Sequence, residues 1–126
     1  MTLTPVRQPY GLLAATPYPA GFPLQNATPT ILTWTAPNDG KQHRVDLKST
    51  LHILTNQTGG QIDITVTFPD GAVAPIDTYP GGALAGYQEA FSGPSFIIQA
   101  GSTVTVAQVT AQTAGSSTLF AELWGS

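Results

Sequence analysis

From Ile62 to Phe68 the side chains alternate without a break, with Ile62, Ile64, Val66 and Phe68 on one side and Asp63, Thr65 and Thr67 on the other. A period of two lines one face of a pleated strand, whereas a helix would scatter those apolar groups around its circumference. The same period runs from His43 to Thr55, where Val45, Leu47, Leu51 and Ile53 share one side and Arg44, Asp46, Lys48, Thr50 and His52 the other. Both runs predict strands with one core face and one wet face. Between them, Asn56-Gln57-Thr58-Gly59-Gly60 has the composition of a tight turn, so the two strands are expected to be antiparallel neighbours in a hairpin.

Strands are expected elsewhere on the same grounds. Thr30 to Thr35 is a short one, closed by the turn signal Pro37-Asn38-Asp39-Gly40. Pro69 to Gly86, rich in Gly, Pro and Ala, predicts a long loop of the kind that usually makes functional contacts. Tyr87 to Phe91 and Pro94 to Gln99 predict two short strands, Thr103 to Ala111 another, and Ser117 to Trp124 a last one after a turn at Thr113-Ala114-Gly115-Ser116. Seven or eight short strands at this spacing predict an all-β fold, an antiparallel β-sandwich of jelly-roll type. Charged residues are only 9% of the chain, their place taken by Thr, Ser, Gln, Gly and Pro. Hydrophobic residues at 41% with a net charge of −3 separate it from disordered chains.

Residues 1–29 read differently. Pro5, Pro9, Pro17, Pro19, Pro23 and Pro29 each fix their own φ and push the preceding residue toward an extended conformation, which predicts an arm without a helix. Residues 1–29 are therefore expected to form an extended Pro-rich N-terminal arm, and residues 30–126 the β-sandwich domain. Tyr10, Leu12, Leu13, Tyr18, Phe22 and Leu24 give the arm more apolar bulk than a solvated linker carries. Each large side chain contributes about 1.5 to 3 kcal/mol when buried, enough in sum to offset the ordering of an extended segment. The surface that receives them is either the chain's own domain or a neighbouring subunit.

Several chemistries are excluded by what the chain lacks. Four Lys and Arg in total cannot supply the counterion release that grips nucleic acid. Zero cysteines remove disulfides, thiolate metal sites and a thiol nucleophile. No basic segment followed by an apolar run marks a leader, and no apolar run reaches the length of a membrane span. There is no G-x-S-x-G, no H-E-x-x-H and no phosphate-binding Gly-Lys loop. His43 and His52 are about 30 Å apart on an extended strand, too far to share a metal, and read as surface-facing residues. Asp39 and Asp70 precede Gly, where a carboxylate caps backbone N–H groups of a turn. Lys41, His43, Arg44 and Lys48 form a basic cluster that reads as a solvated face. Neither an enzymatic role nor a cofactor or metal is expected.

The last strand departs from a simple two-faced pattern. Leu119, Ala121 and Leu123 point one way, yet Phe120 and Trp124 point the other with only Glu122 between them. Both faces carry apolar bulk, so the outer one is expected to meet a subunit neighbour or to lie beneath the N-terminal arm. The interface candidates are thus Tyr10, Leu12, Leu13, Tyr18, Phe22, Leu24, Phe120 and Trp124.

The segment Phe96-Ile97-Ile98-Gln99-Ala100-Gly101-Ser102-Thr103-Val104-Thr105-Val106, with Gly115-Ser116-Ser117-Thr118-Leu119-Phe120-Ala121-Glu122-Leu123-Trp124, resembles the closing strands of small trimeric jelly rolls. Tumour-necrosis-factor-like heads and the decoration proteins of tailed-bacteriophage capsids end in a similar way, and the likeness spans about a third of the chain. With a cysteine-free, Thr-rich and Gly-rich body fronted by an apolar arm, the whole is similar to a phage virion protein. That resemblance implies a homotrimer on the capsid surface whose partners are itself and the major capsid protein, cementing the shell by adhesion. The alternative is a receptor- or carbohydrate-binding module of a phage tail fibre or spike, with Tyr79 and Tyr87 in the long loop region as stacking platforms.

Overall fold

A computed structural model of the chain describes residues 10–17, 20–24, 28–59, 61–79 and 88–126. Among the described residues nine strands follow one another: β1 (Gly11–Ala15), β2 (Phe22–Pro23), β3 (Thr30–Thr35), β4 (His43–Gly59), β5 (Ile62–Thr67), β6 (Val73–Tyr79), β7 (Gln88–Ile98), β8 (Thr103–Gln108) and β9 (Gln112–Gly125). They form two sheets, one ordered β1-β9-β4-β7 with β2 also paired to β9, the other β3-β8-β5-β6. Every pairing is antiparallel.

β1 and β2 lie along the same neighbour, Leu12 opposite Trp124 and Phe22 opposite Leu119, so they are one strand interrupted at residues 16–21. Thr16 bridges the interruption: its N–H donates to the Ala121 carbonyl at 2.9 Å and its Oγ1 accepts from the Ala121 N–H at 3.0 Å. With that strand counted once there are eight, and the pairs nest. The first strand meets the last, β3 meets β8, β4 meets β7, and β5 meets β6. A long hairpin rolled up so that its strands alternate between two sheets is the jelly roll.

This roll corrects several local expectations. β4 and β5 are not hairpin neighbours: β4 pairs with β7 and β9, while β5 pairs with β6 and β8 in the opposite sheet. Two strands that each have one apolar face can bury it side by side or face to face, and the alternation in sequence is the same in both cases. The 69–86 stretch is not one long loop, because β6 fills residues 73–79 after a turn closed by Phe68 N–H to the Ala72 carbonyl at 2.7 Å. The two short strands expected around residues 87–99 are the single strand β7, and the turn expected at 113–116 lies within β9. In the 1–29 segment, residues 11–15 and 22–23 are strands of the sandwich itself, because β9 offers them a free backbone edge.

The core lies between the sheets. Val45, Leu47, Ile98, Leu119, Ala121 and Leu123 enter from one side and Leu32, Ile62, Ile64, Val66, Val104 and Val106 from the other, all buried, with Leu24 added from the segment after β2. The outer faces differ in kind. On the β3-β8-β5-β6 sheet, Thr33, Thr105 and Thr65 form one cross-strand row and Thr35, Thr103 and Thr67 the next, with Thr35 Oγ1 and Thr103 Oγ1 2.8 Å apart. That hydroxyl grid accounts for much of the threonine that replaces charge in this chain. The outer face of the other sheet carries aromatic and charged groups instead.

Candidate functional site: the outer face of the β1-β9-β4-β7 sheet

Strand register assembles this face. Trp124 on β9 stands between Leu12 on β1 and Asp46 on β4, and Asp46 stands opposite Ser95 on β7. One row along, Glu122 stands opposite Lys48. Tyr10 lies just ahead of β1, and its ring stacks on the Trp124 indole with centroids 6.2 Å apart and planes 19° from parallel. The Lys48 ammonium sits 5.4 Å from the Trp124 ring centroid, within reach of a cation–π attraction. Trp124 Nε1–H donates to Glu122 Oε2 at 2.6 Å.

Asp46 is the polar centre of the patch. Its Oδ2 accepts from the Tyr10 hydroxyl at 2.6 Å, and its Oδ1 accepts from Arg44 Nε–H at 3.3 Å and from the Ser95 hydroxyl. Partial burial pushes the Asp46 carboxyl up, but the hydrogen bonds from Ser95, Tyr10 and Arg44, with the guanidinium charge, outweigh it and hold the group below its ordinary value. The Tyr10 hydroxyl is raised in turn, first because it donates to Asp46 and then through desolvation and the carboxylate's charge. A surface tyrosine is thereby fixed over a surface tryptophan, and little rotamer freedom remains for a partner to remove.

The eight sequence-predicted interface residues divide. Tyr10 and Leu12 are exposed, at 50% and 53%. Trp124 and Phe120 are half-buried on the outer face of β9. Phe120 faces Gly21, where an added Cβ would stand 2.8 Å from its ring, so the chain's own backbone at Gly21 lies against it. Leu13 and Phe22 pack half-buried against the core, and Leu24 is part of the core. Tyr18 lies outside the described residues, as do Tyr87 and the side chain of Tyr79. The structure brings Tyr10, Leu12 and Trp124 together and turns Leu13, Phe22 and Leu24 inward. Asp46, Ser95 and Ile97 were not singled out as candidates from the sequence. Outward parity on an alternating strand was the sole signal for Asp46, and Ser95 reaches it only through pairing of β4 with β7.

At the end of the same sheet, Asp39, Lys41, Gln42, His43, Arg44, Ile97 and Ser126 line a groove of about 360 Å³. His43 is not surface-facing as its sequence context suggested: it is 4% exposed. It shares its parity with Val45 and Leu47, so the strand turns the ring inward. There its Nε2 lies 3.0 Å from Asp39 Oδ1, and the ring meets Trp34 edge-on at 6.0 Å. Asp39 also accepts from the Lys41 N–H at 3.0 Å, the turn role expected of it, and these contacts, His43 first, hold its carboxyl below the usual range. Among the described residues no three His, Cys, Asp or Glu side chains cluster as a metal site would require. The sheet face offers contact area, stacking and fixed charge.

No family model matches the chain, and no curated protein matches it. Among solved structures, a chain of infectious bursal disease virus, Gx strain, superposes with a TM-score of 0.55 at 12% identity, over 95% of this chain and 32% of that one. A ruminal GH26 endo-beta-1,4-mannanase matches at a TM-score of 0.46 and 10% identity, over 79% of this chain and 18% of that one. This chain therefore spans less than a third of the length of either. What it shares with the viral chain is the fold, an all-β sandwich of two antiparallel sheets.

Proposed function

We propose that this protein is a virion structural protein that binds the outer surface of a capsid, in the manner of a tailed-phage decoration protein, and stabilises the shell through subunit contacts with the major capsid protein and with copies of itself, as a homotrimer. The observation that carries the reading is the preorganised contact face made by Tyr10, Leu12, Lys48, Glu122 and Trp124 on one sheet, set against a plain threonine grid on the other. Aromatic anchors ringed by satisfied polar groups are what protein–protein contact surfaces are made of. The use of the same fold by a chain of infectious bursal disease virus supports a virion setting.

The test uses point variants, because Leu24 belongs to the core and deleting the N-terminal segment would unfold the sandwich. Leu12→Asp combined with Lys48→Glu alters two exposed side chains and leaves the core untouched. Co-sedimentation with undecorated shells is expected to show affinity lowered about tenfold or more, a loss of about 1.4 kcal/mol or more. Occupancy equal to that of the unaltered protein would remove this face from the proposal.

A further inference from the structure

We propose that this chain binds a second copy of itself tip into groove: the turn at residues 69–72 of one copy enters the groove lined by Lys41, Arg44 and Ile97 of the next. The inference deepens the self-association part of the reading above and is independent of the capsid part, since mass in solution tests the one and shell occupancy the other.

Charge is the first argument. The described cations, Lys41, Arg44 and Lys48, all lie on β4 or the segment leading into it. The β3-β8-β5-β6 sheet and its connecting turn carry Asp63, Asp70 and Asp77 and, among the described residues, no cation. The ion pairs among the described residues are His43 with Asp39 and Arg44 with Asp46, so none of those three carboxylates has a cationic partner among the described residues. Asp70 Oδ1 accepts from the Ala72 N–H at 2.9 Å, which fixes the carboxylate at the tip of the turn. In the groove, Asp39 is held by the His43 ring and the Lys41 N–H, and Arg44 by Asp46 at 3.3 Å, which leaves the Lys41 ammonium as the groove's cation without an ion pair among the described residues.

Apolar exposure is the second argument, and it coincides with the first. Among the large apolar side chains described, Ile97 at 65% and Val73 at 60% are the most exposed. Ile97 lines the groove beside Lys41 and Arg44, and Val73 lies three residues from Asp70. A docked tip would set carboxylate on cation and valine on isoleucine at once. Residues 69–73 are exposed without exception, so the tip stands clear of its own domain.

Topology supplies the third. A Cβ placed on Gly101 would lie 3.4 Å from Pro69 and 3.8 Å from Asn38, so the tip and the loop leading into the groove share one end of the sandwich. Each copy thus presents donor and receptor at one end, a placement from which tip-into-groove contacts can close into a two-fold pair or a small ring. At two of the sheet edges strand addition meets an obstacle, because Pro75 in β6 and Pro94 in β7 each lack a backbone donor.

Sedimentation velocity of the purified chain over a concentration series, at low and high salt, tests this. The unaltered chain is expected to associate, with the association weakened by salt. Asp70→Lys alone, and Lys41→Asp with Arg44→Asp, are each expected to raise the dissociation constant about tenfold or more. All three changes in one chain restore association, because the charges are exchanged rather than lost. Val73→Ser, which removes the apolar contact and no charge, should weaken association, whereas Asp70→Glu, which keeps the charge, should not. An unaltered chain that stays monomeric at every concentration overturns the proposal. So does association indifferent to the single-site changes, or failure of the exchanged chain to recover while its circular dichroism shows it folded.

Discussion

At the residue scale, two backbone positions and one carboxylate do work that composition conceals. Gly21 sits at φ +72°, where a Cβ would also stand 2.8 Å from the Phe120 ring. Gly21→Ala is therefore expected to lower stability by about 2 kcal/mol or more, read as a drop in the chemical-denaturation midpoint. Gly125 is closed differently: between β1 and β4, its Cβ would overlap the Arg44 carbonyl oxygen. Asp46 links stability to pH. Because its folded pKa is depressed, its contribution is complete above about pH 4 and is lost as pH falls through the folded value. Tyr10 is raised, so its contribution is complete below about pH 10 and is lost as pH climbs through the folded value. Asp46→Asn should flatten the acid limb of a plot of Tm against pH; parallel curves for variant and parent would contradict that role.

At the scale of elements, proline separates edge from centre. Pro17 and Pro23 flank or close the interrupted first strand, Pro29 and Pro37 flank β3, Pro75 lies in β6 and Pro94 in β7, whereas β4, β5, β8 and β9 contain none. Those four are the strands with neighbours on both sides, and the edge strands β1 and β3 are also free of proline within their bounds. A proline there would remove a ladder hydrogen bond, while at an edge it blocks pairing with foreign strands. Pro75→Val is accordingly expected to leave Tm within a few degrees of the parent and to raise concentration-dependent aggregation, followed by light scattering. Loss of solubility without any change in aggregation order, or none at all, would show that this edge is protected by other means.

For the whole molecule, the nested roll joins the first and last described strands: Leu12 stands opposite Trp124, and Gly11 opposite Gly125. Almost no strand pairs with its neighbour in sequence, β5 with β6 being the hairpin at the centre. Closing such distant pairs costs loop entropy before any contact is made, so refolding is expected in the range of about milliseconds to seconds, measurable by stopped-flow tryptophan fluorescence. Microsecond refolding would be incompatible with this topology. Removal of residues 1–24 takes away β1 and β2, two strands of the five-strand sheet, and the buried Leu24 together. The shortened chain is expected to lose its cooperative thermal transition, and a sharp transition near the parental Tm would refute the integral role given to that segment.

What the sequence by itself determined was strand character and which side of each strand is apolar, because those depend on a period of two that neighbouring residues carry. The core faces of β5 and β9, and Val45 and Leu47 on β4, were legible residue by residue, as were the outward positions of Phe120 and Trp124, whereas His43 on the same side of β4 was misread as outward. Partner choice was not: alternation is identical whether two strands pair side by side or face each other across a core, which is why β4 and β5 looked like a hairpin. The same gap hid the site. Tyr10, Asp46, Ser95 and Trp124 come from four separate stretches, and only the pairing of β1 and β4 with β9, and of β7 with β4, sets them on one face. Tertiary structure decided that meeting, because hydrogen bonds between distant strands, unlike propensity and periodicity, leave no mark in the local sequence.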